Sequence, residues 1–289
     1  MKMEDIRAFM SQREFQLLRD LIYKESGLYF ADGKRYFLEI HLRPRLKELG
    51  LESFEDYYRY LLNRPPGDKE WMRLFDKITI PETFFFRDPR HFEVLKDEVI
   101  PEITARKKYG IKRLSLWSAG CATGEEAYTL AMILLEESQV SLKGWSFKVI
   151  GSDISMTALQ KAKEGAYSEY SVRYVPDLYM KKYFIEVKGI YYVSNDVRRC
   201  VDFLRVNLSS DEEMRRMRYF DVIFCRNVLI YFDKKSKEKV LERLYESLNT
   251  GGYLFIGSTE TLFGIDTPFK GVRFPGCTAY KKEDRDYAS

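Results

Sequence analysis

The chain has only two histidines and four cysteines among its 289 residues. Cys121, Cys200, Cys225 and Cys277 are separated by 79, 25 and 52 positions, with no C-x-x-C pair. That spacing excludes the usual zinc ligand sets and gives no disulfide framework, so no metal is expected and a reducing compartment is. His41 falls in a basic helical stretch and His91 in the first turn of another, and both read as ordinary structural or surface residues. A histidine general base is therefore not expected. Charge of a single sign is also lacking: 48 Lys plus Arg face 44 Asp plus Glu, a net +4. This argues against a nucleic-acid binder that works by counterion release. No apolar run is long enough for a membrane span, and the opening MKMEDIRAFMSQREF carries no apolar signal core, so a cytoplasmic protein without membrane insertion is expected. Asn and Gln together number nine, which with 32% charged residues leans towards a heat-adapted composition.

What is present is core material, 45% hydrophobic and 15% aromatic. Residues 1 to about 80 read as helical. Phe15, Leu18, Leu21 and Ile22 recur at helix spacing, and Phe37, Ile40, Leu42 and Leu46 do so less regularly. Gly27, Gly33 and Gly50 punctuate this part, and Pro65-Pro66-Gly67 breaks it. A further helix is expected from an Asp88 N-cap and Pro89 at N1 through Phe92, Leu95 and Ile100, with Pro101 a point of interruption.

From Arg113 the pattern alternates between strand and helix. RLSLWSA (113–119), FKVIGSD (147–153), VDFLRVN (201–207), FDVIFCRN (220–227) and the run ending at Thr259 read as strands. The last follows the helix KSKEKVLERLYESLNTGG, which Gly251 and Gly252 are expected to close. Such alternation specifies an α/β fold with a mostly parallel sheet covered on both faces. VRFPGCTAYKK reads as a closing antiparallel strand. KYFIEVKGIYYVS (182–194) has two β-rich runs around Lys188-Gly189, a small antiparallel insertion at about 180–197. The expected division is a helical domain over 1–80 and an α/β domain over 81–289.

The turn Ser118–Glu126 after the first strand is the most informative stretch. Ligands of open parallel sheets bind beyond the carboxyl ends of strands, where glycine allows close backbone approach. Neither G-x-G-x-x-G nor G-x-x-x-x-G-K-[ST] is present, which disfavours cofactors held by pyrophosphate or triphosphate. Gly120 with Glu126 and Asp153 suits a phosphate-free cofactor bearing an adenosine and an amino acid, S-adenosylmethionine. Glu126 would face the ammonium and Asp153 the ribose hydroxyls. Thr123-x-x-Glu126 also matches a capping box, in which the glutamate serves only the helix start. Asp153 could itself be an N-cap, although Ser155 is better placed. Phe84, Phe85 and Phe86 read as core or pocket wall. Arg226 ends an apolar strand and needs a carboxylate partner there.

ITIPETFFFRD (78–88), SAGCATGEEAYTLAMIL (118–134), GSDISMTALQKAKEGAY (151–167) and FDVIFCRNVLIYFD (220–233) resemble the chemotaxis receptor methyltransferases, the CheR family. GLYFADGKRYFLEIHLRPRLKELGLESFEDYY (27–58) is similar to that family's amino-terminal helical domain. The resemblance implies a Rossmann-like methyltransferase domain that transfers methyl from S-adenosylmethionine to glutamates of chemoreceptor cytoplasmic helices, leaving S-adenosylhomocysteine. It places Thr83, Arg87, Glu126, Asp153, Asn207, Leu208, Arg226 and Asn227 on the cofactor. It also sets Arg87 and Tyr231 beside the transferring methyl. Pro81 stands where the family usually has Asn, and proline offers neither an amide donor nor a polar side chain. By composition the basic cluster of Arg43, Arg45 and Lys47, with Lys34 and Arg35 nearby, reads as a solvated helix face, whereas the resemblance implies that it docks the receptor. Some members bind a receptor tail peptide through the β-insertion. The glycine-rich loop of those members is absent around Lys188-Gly189, which implies a tail-independent enzyme. A monomer is expected. A glutamate acceptor, with an ordinary pKa near 4.3, is ionised at neutral pH and needs no general base, in keeping with the scarcity of histidine. The alternatives are a different protein or small-molecule acceptor, and a non-catalytic S-adenosylmethionine-binding scaffold.

Overall fold

The computed structural model describes residues 9–283; residues 1–8 and 284–289 of the expected domain spans lie outside the described residues. Four helices come first: α1 (Gln12–Ser26), α2 (Arg35–Leu49), α3 (Phe54–Leu62) and α4 (Lys69–Ile78). Local chemistry sets their ends. The Ser11 hydroxyl accepts from Glu14 N–H while the Glu14 carboxylate accepts from Ser11 N–H, a reciprocal cap on α1. Gly27, at φ 70°, ends that helix in the left-handed conformation. Ser53 and Asp68 cap α3 and α4. Phe15, Leu18 and Ile22 of α1 meet Leu38, Leu42 and Leu46 of α2, with Tyr57 and Trp71, in one apolar core.

Arg45 does not belong to a docking face. Its side chain is buried against Glu70, with Nε and Nη2 on the two carboxylate oxygens at 2.9 and 2.6 Å, and Nη1 reaches Glu48 at 2.7 Å. Tyr57 Oη donates to the same Glu70. The forked guanidinium matches a carboxylate on the neighbouring helix, so the residue ties α2 to α4. Arg43, half-buried and paired with Glu39, and exposed Lys47 remain at the surface of α2. His41 Nδ1 lies 2.7 Å from Phe37 O and its ring packs on that of Phe37, both contacts within α2.

The second region is built on β1 (Arg113–Ala119), β2 (Ser146–Asp153), β3 (Ala166–Tyr167), β4 (Phe184–Val187), β5 (Ile190–Val193), β6 (Val201–Arg205), β7 (Phe220–Cys225), β8 (Leu248–Ile256), β9 (Lys270–Phe274) and β10 (Cys277–Lys281). The large sheet has the order β6-β2-β1-β7-β8-β10-β9. Its first five strands are parallel, in registers such as Trp117↔Ile150 and Trp117↔Ile223; β10 is antiparallel to both β8 and β9. Successive side chains alternate between two cores. Leu116, Phe224 and Phe255 join the core beneath α5 (Pro89–Val94), α6 (Ile100–Arg106) and α7 (Glu125–Glu137). Trp117, Ile223 and Leu254 join the opposite core, beneath the later helix Lys234–Ser247. This is the two-sided burial that nearly continuous apolar strands require. Strand order reverses at β1, which opens a crevice between the carboxyl ends of β1 and β7.

The insertion is a three-stranded antiparallel sheet, β3-β5-β4. Lys188 and Gly189 both have positive φ, 52° and 78°, the hairpin turn their sequence foretold. No helix among the described residues is long and apolar enough to cross a membrane.

Four local expectations are corrected. Asp88 is not a side-chain cap: it adopts a left-handed conformation, φ 54°, and its carboxylate turns instead to Arg226. Pro101 does not interrupt the helix, because a π-helical turn (Leu95–Val99) joins α5 to α6 and places the proline in the first turn of α6. Gly251 and Gly252 lie inside β8, not at a helix end. Gly251 has φ 71°, its N–H meets Lys282 O, and a Cβ there would collide with Arg106. VRFPGCTAYKK forms the two strands β9 and β10 rather than one.

Candidate active site

A cavity of about 210 Å³ opens at the carboxyl ends of the central strands. Thr83, Arg87, Gly120, Glu126, Asp153, Asn207, Leu208, Arg226, Asn227 and Tyr231 all line it, so the fold brings the ten expected site residues into one place. The helical region contributes the roof, through Leu28, Tyr29 and Phe30. That roof is fastened by backbone bonding: Tyr29 N–H donates to Tyr231 O at 2.9 Å, and Leu28 bridges Phe232.

The turn after β1 is held by its neighbour. Gly120 N–H and Cys121 N–H both donate to Ser152 O at 2.8 Å. Gly120 has φ 78°, and a Cβ there would strike Val228, so this close crossing accepts glycine alone. One step on, Ala122 N–H donates to one Asp153 carboxylate oxygen and Ser155 N–H to the other, each at 2.9 Å. Burial raises the Asp153 pKa, and these bonds oppose the shift. Ser155 is the N-cap of α8 (Met156–Glu164), accepting from Ala158 N–H. Asp76 of α4 also reaches that helix start, accepting from Ser155 Oγ at 2.6 Å and Thr157 N–H at 3.0 Å. A carboxylate there complements the positive helix end. It also joins the helical region to the cavity wall.

The capping-box reading of Thr123 and Glu126 fails. The N-cap of α7 is Gly124, at φ 94° and with no side-chain cap, and Thr123 Oγ1 donates to Glu125. Glu126 instead accepts from Ser118 Oγ at 2.7 Å and from Arg226 Nη1 at 3.3 Å. Its pKa is raised by burial, with Arg226 pulling the other way. Asp88 behaves differently: burial opposes its ionisation, yet bonding to Arg226 and the guanidinium charge hold its pKa below the usual value. Arg226 Nη2 lies 2.8 Å from Asp88, closer than its contact with Glu126, and also donates to Arg87 O. The better-bonded carboxylate takes most of the benefit.

Asn207 is spoken for. Its Nδ2 donates to Glu25 O at 2.7 Å and its Oδ1 accepts from Ser209 N–H, so its side chain fastens the end of α1 to the cavity wall. Asn227 has φ 58°, and its Oδ1 is buried without a protein partner. Arg87 donates to Glu82 O at 2.9 Å, with its guanidinium over the Phe84 ring. Tyr231 is 43% exposed, and burial of the remainder raises its phenol pKa, which keeps the hydroxyl protonated. Phe85 and Phe86 are core, whereas Phe84 is a cavity wall.

Sequence reasoning missed Glu260. Its Oε2 accepts from Asn227 N–H at 2.8 Å and Gly257 N–H at 2.6 Å, while Oε1 accepts from Ile230 N–H at 3.1 Å. It thereby holds the turn from Arg226 to Tyr231. The available signal was an acid just past an apolar strand that neighbours β7.

Comparison with known proteins adds independent findings. Residues 81–276 match the family model described as CheR methyltransferase, SAM binding domain, and residues 13–79 match CheR methyltransferase, all-alpha domain. Chemotaxis protein methyltransferase 2 of Vibrio cholerae is 36% identical, covering 94% of both chains. The chemotaxis protein methyltransferase of Borreliella burgdorferi is 32% identical over 94% of this chain and 95% of its own. That of Escherichia coli is 33% identical over 91% and 89%.

Proposed function

The chain belongs to the CheR methyltransferase family and is an S-adenosylmethionine-dependent methyltransferase of chemotaxis, and from that premise we propose that it esterifies glutamate side chains on chemoreceptor cytoplasmic helices. The observation that supports this reading most is the pairing of two half-buried carboxylates, Glu126 and Asp153, with Arg87 and Tyr231 in one cavity.

The donor set fits S-adenosylmethionine. Asn227 Oδ1 is a buried acceptor in want of a donor, and Asp153 keeps unused lone pairs on both oxygens. We assign Asp153 to the ribose hydroxyls and Glu126 to the ammonium. Gly120, Leu208, Thr83 and Asn227 form the walls, while Arg226 and Asn207 act by holding neighbours in place. Pro81 contributes shape alone. When bound, the cofactor supplies an electrophilic methyl on a cationic sulfur.

The chain's own work is alignment and exclusion of water. The acceptor carboxylate arrives ionised, so no side chain has to remove a proton. Arg87 and the neutral Tyr231 hydroxyl orient it at the cavity mouth. Their hold must be modest, because binding the ground state as tightly as the transition state gives no acceleration. Apolar walls from Leu28, Phe30 and Leu208 keep the site dry, where fixed geometry can lower the barrier by several kcal/mol.

We assign receptor docking to the α2 surface that carries Arg43 and Lys47, without Arg45, and picture a monomer working in the cytoplasm, independent of a receptor tail. Calorimetric titration with S-adenosylhomocysteine tests the site: wild type binds, and Asp153→Asn and Glu126→Gln each bind at least about tenfold more weakly, the worth of one charged hydrogen bond. Equal binding by both variants would remove the cofactor assignment.

A further inference from the structure

Beside Phe84, a residue of the cavity wall, the exposed guanidinium of Arg173 packs among aromatic rings and forms no ion pair among the described residues. Arg173 lies 3.6 Å from the ring centroid of Tyr170, 4.1 Å from that of Phe84 and 4.8 Å from that of Tyr174. Its Nη1 also donates to Tyr170 O. Tyr170 and Tyr174 are themselves exposed, at 59% and 60%, so the cluster stands at the surface. Phe84 packs against Tyr174 with centroids 5.4 Å apart, and Phe85 N–H donates to Ser171 O at 3.0 Å. These contacts fix the segment around Arg173 to the strand of chain that carries Arg87. The Phe84 ring that Arg173 covers is the one approached by Arg87, and Phe84 lines the cavity. No carboxylate among the described residues forms an ion pair with Arg173.

A surface arginine ordinarily keeps its rotamer freedom and gives it up only when a partner binds. Here three rings and a backbone carbonyl have already restricted it, so a carboxylate meeting it loses less entropy. Two guanidinium groups against one aromatic ring of the cavity wall suit an acidic helix. On such a helix, carboxylates three or four positions apart share a face.

Building on the methyltransferase reading above, we infer that Arg173 is a specificity-determining residue: it receives a second carboxylate of the acceptor helix, one or two turns from the glutamate presented to Arg87 and Tyr231. The preferred substrate is therefore an acidic helical segment with neighbouring carboxylates rather than an isolated glutamate. Arg173 touches the acceptor and not the cofactor.

The test uses the full chain, a purified chemoreceptor cytoplasmic fragment, and the same fragment with the acidic residues flanking each methylated glutamate changed to glutamine. On the native fragment, Arg173→Ala should lower kcat/KM about fivefold through KM, the upper end of the scale for one exposed charged contact, and Arg173→Glu should lower it further. Tyr170→Leu, which frees the guanidinium and keeps its charge, should fall between wild type and Arg173→Ala. On the neutralised fragment, wild type and Arg173→Ala should be equal. S-adenosylhomocysteine affinity should not change in any variant. Equal kcat/KM for wild type and Arg173→Ala on the native fragment overturns the inference and leaves the methyltransferase reading intact. A wild type that binds S-adenosylhomocysteine and methylates no receptor fragment overturns both.

Discussion

Arg226, just past the end of β7, lies 2.8 Å from Asp88, a residue 138 positions earlier. Its other terminal nitrogen reaches Glu126 on α7, so one buried guanidinium joins three separate segments at the floor of the cavity.

Removing that charge leaves two acids without compensation. Arg226→Leu should destabilise the protein by about 3 kcal/mol, the lower part of the range for a broken buried pair because Asp88 is partly solvated. It should also weaken S-adenosylhomocysteine binding, since Glu126 loses the charge that favours its ionised form. Urea unfolding and calorimetry measure the two effects. A variant as stable as wild type would mean that solvent already screens the pair.

Arg45 calls for a different outcome from that expected of a docking residue. Arg45→Ala leaves the buried Glu70 with only Tyr57 Oη and a more distant Arg73. A loss of about 3 kcal/mol in unfolding free energy should follow. Lys47→Glu should leave stability nearly unchanged and raise KM for the receptor fragment, whereas Arg43→Glu, which removes the partner of the buried Glu39, should also destabilise the protein. A stable Arg45→Ala with raised KM would return Arg45 to the docking face.

Glu260 should act through the turn it holds. Glu260→Gln keeps one acceptor oxygen and loses one of its backbone bonds; Glu260→Ala loses all three. Amide exchange should therefore quicken at Ile230 in both variants, and at Asn227 in the alanine. Methyl transfer should fall about tenfold in kcat for Glu260→Ala, a cost of about 1.4 kcal/mol in the barrier. Unaltered exchange and kcat would confine Glu260 to a solvent-facing role.

Acid sensitivity should centre on His91. It is buried, its Nδ1 has no partner, and burial together with the nearby Arg226 lowers its pKa to about 4. The unfolded chain accepts a proton near the ordinary 6.5, so the unfolded state binds more protons between those values. Stability that is intact above pH 6.5 is therefore lost as pH falls towards 4, by about 1.4 kcal/mol per pH unit at most. His91→Phe should flatten this limb of the stability–pH curve, and an unchanged limb would assign the loss to carboxylates.

Much of this architecture was legible because it follows local rules. Apolar strands such as FDVIFC announced burial on both faces, and Ser155 announced a helix start. What escaped depended on distant partners. Helical spacing puts Arg45 beside other basic residues, and only the packing of α4 against α2 reveals Glu70 waiting for it. Thr123-x-x-Glu126 has the letters of a cap, but Gly124 begins the helix and Arg226 claims the glutamate. Glu260 gains its meaning only once β8 is known to lie beside β7. Gly251 looked like a helix stop because a positive-φ glycine serves a bend within a strand equally well.

The central claim is methyl transfer to a carboxylate without a general base. Incubation with methyl-labelled S-adenosylmethionine and a chemoreceptor cytoplasmic fragment, followed by alkali, tests it directly. The label should enter the fragment and leave as volatile methanol on alkaline treatment, with Arg87→Ala losing transfer while still binding S-adenosylhomocysteine. Base-stable label, or no label from a protein that binds S-adenosylhomocysteine, would contradict the claim.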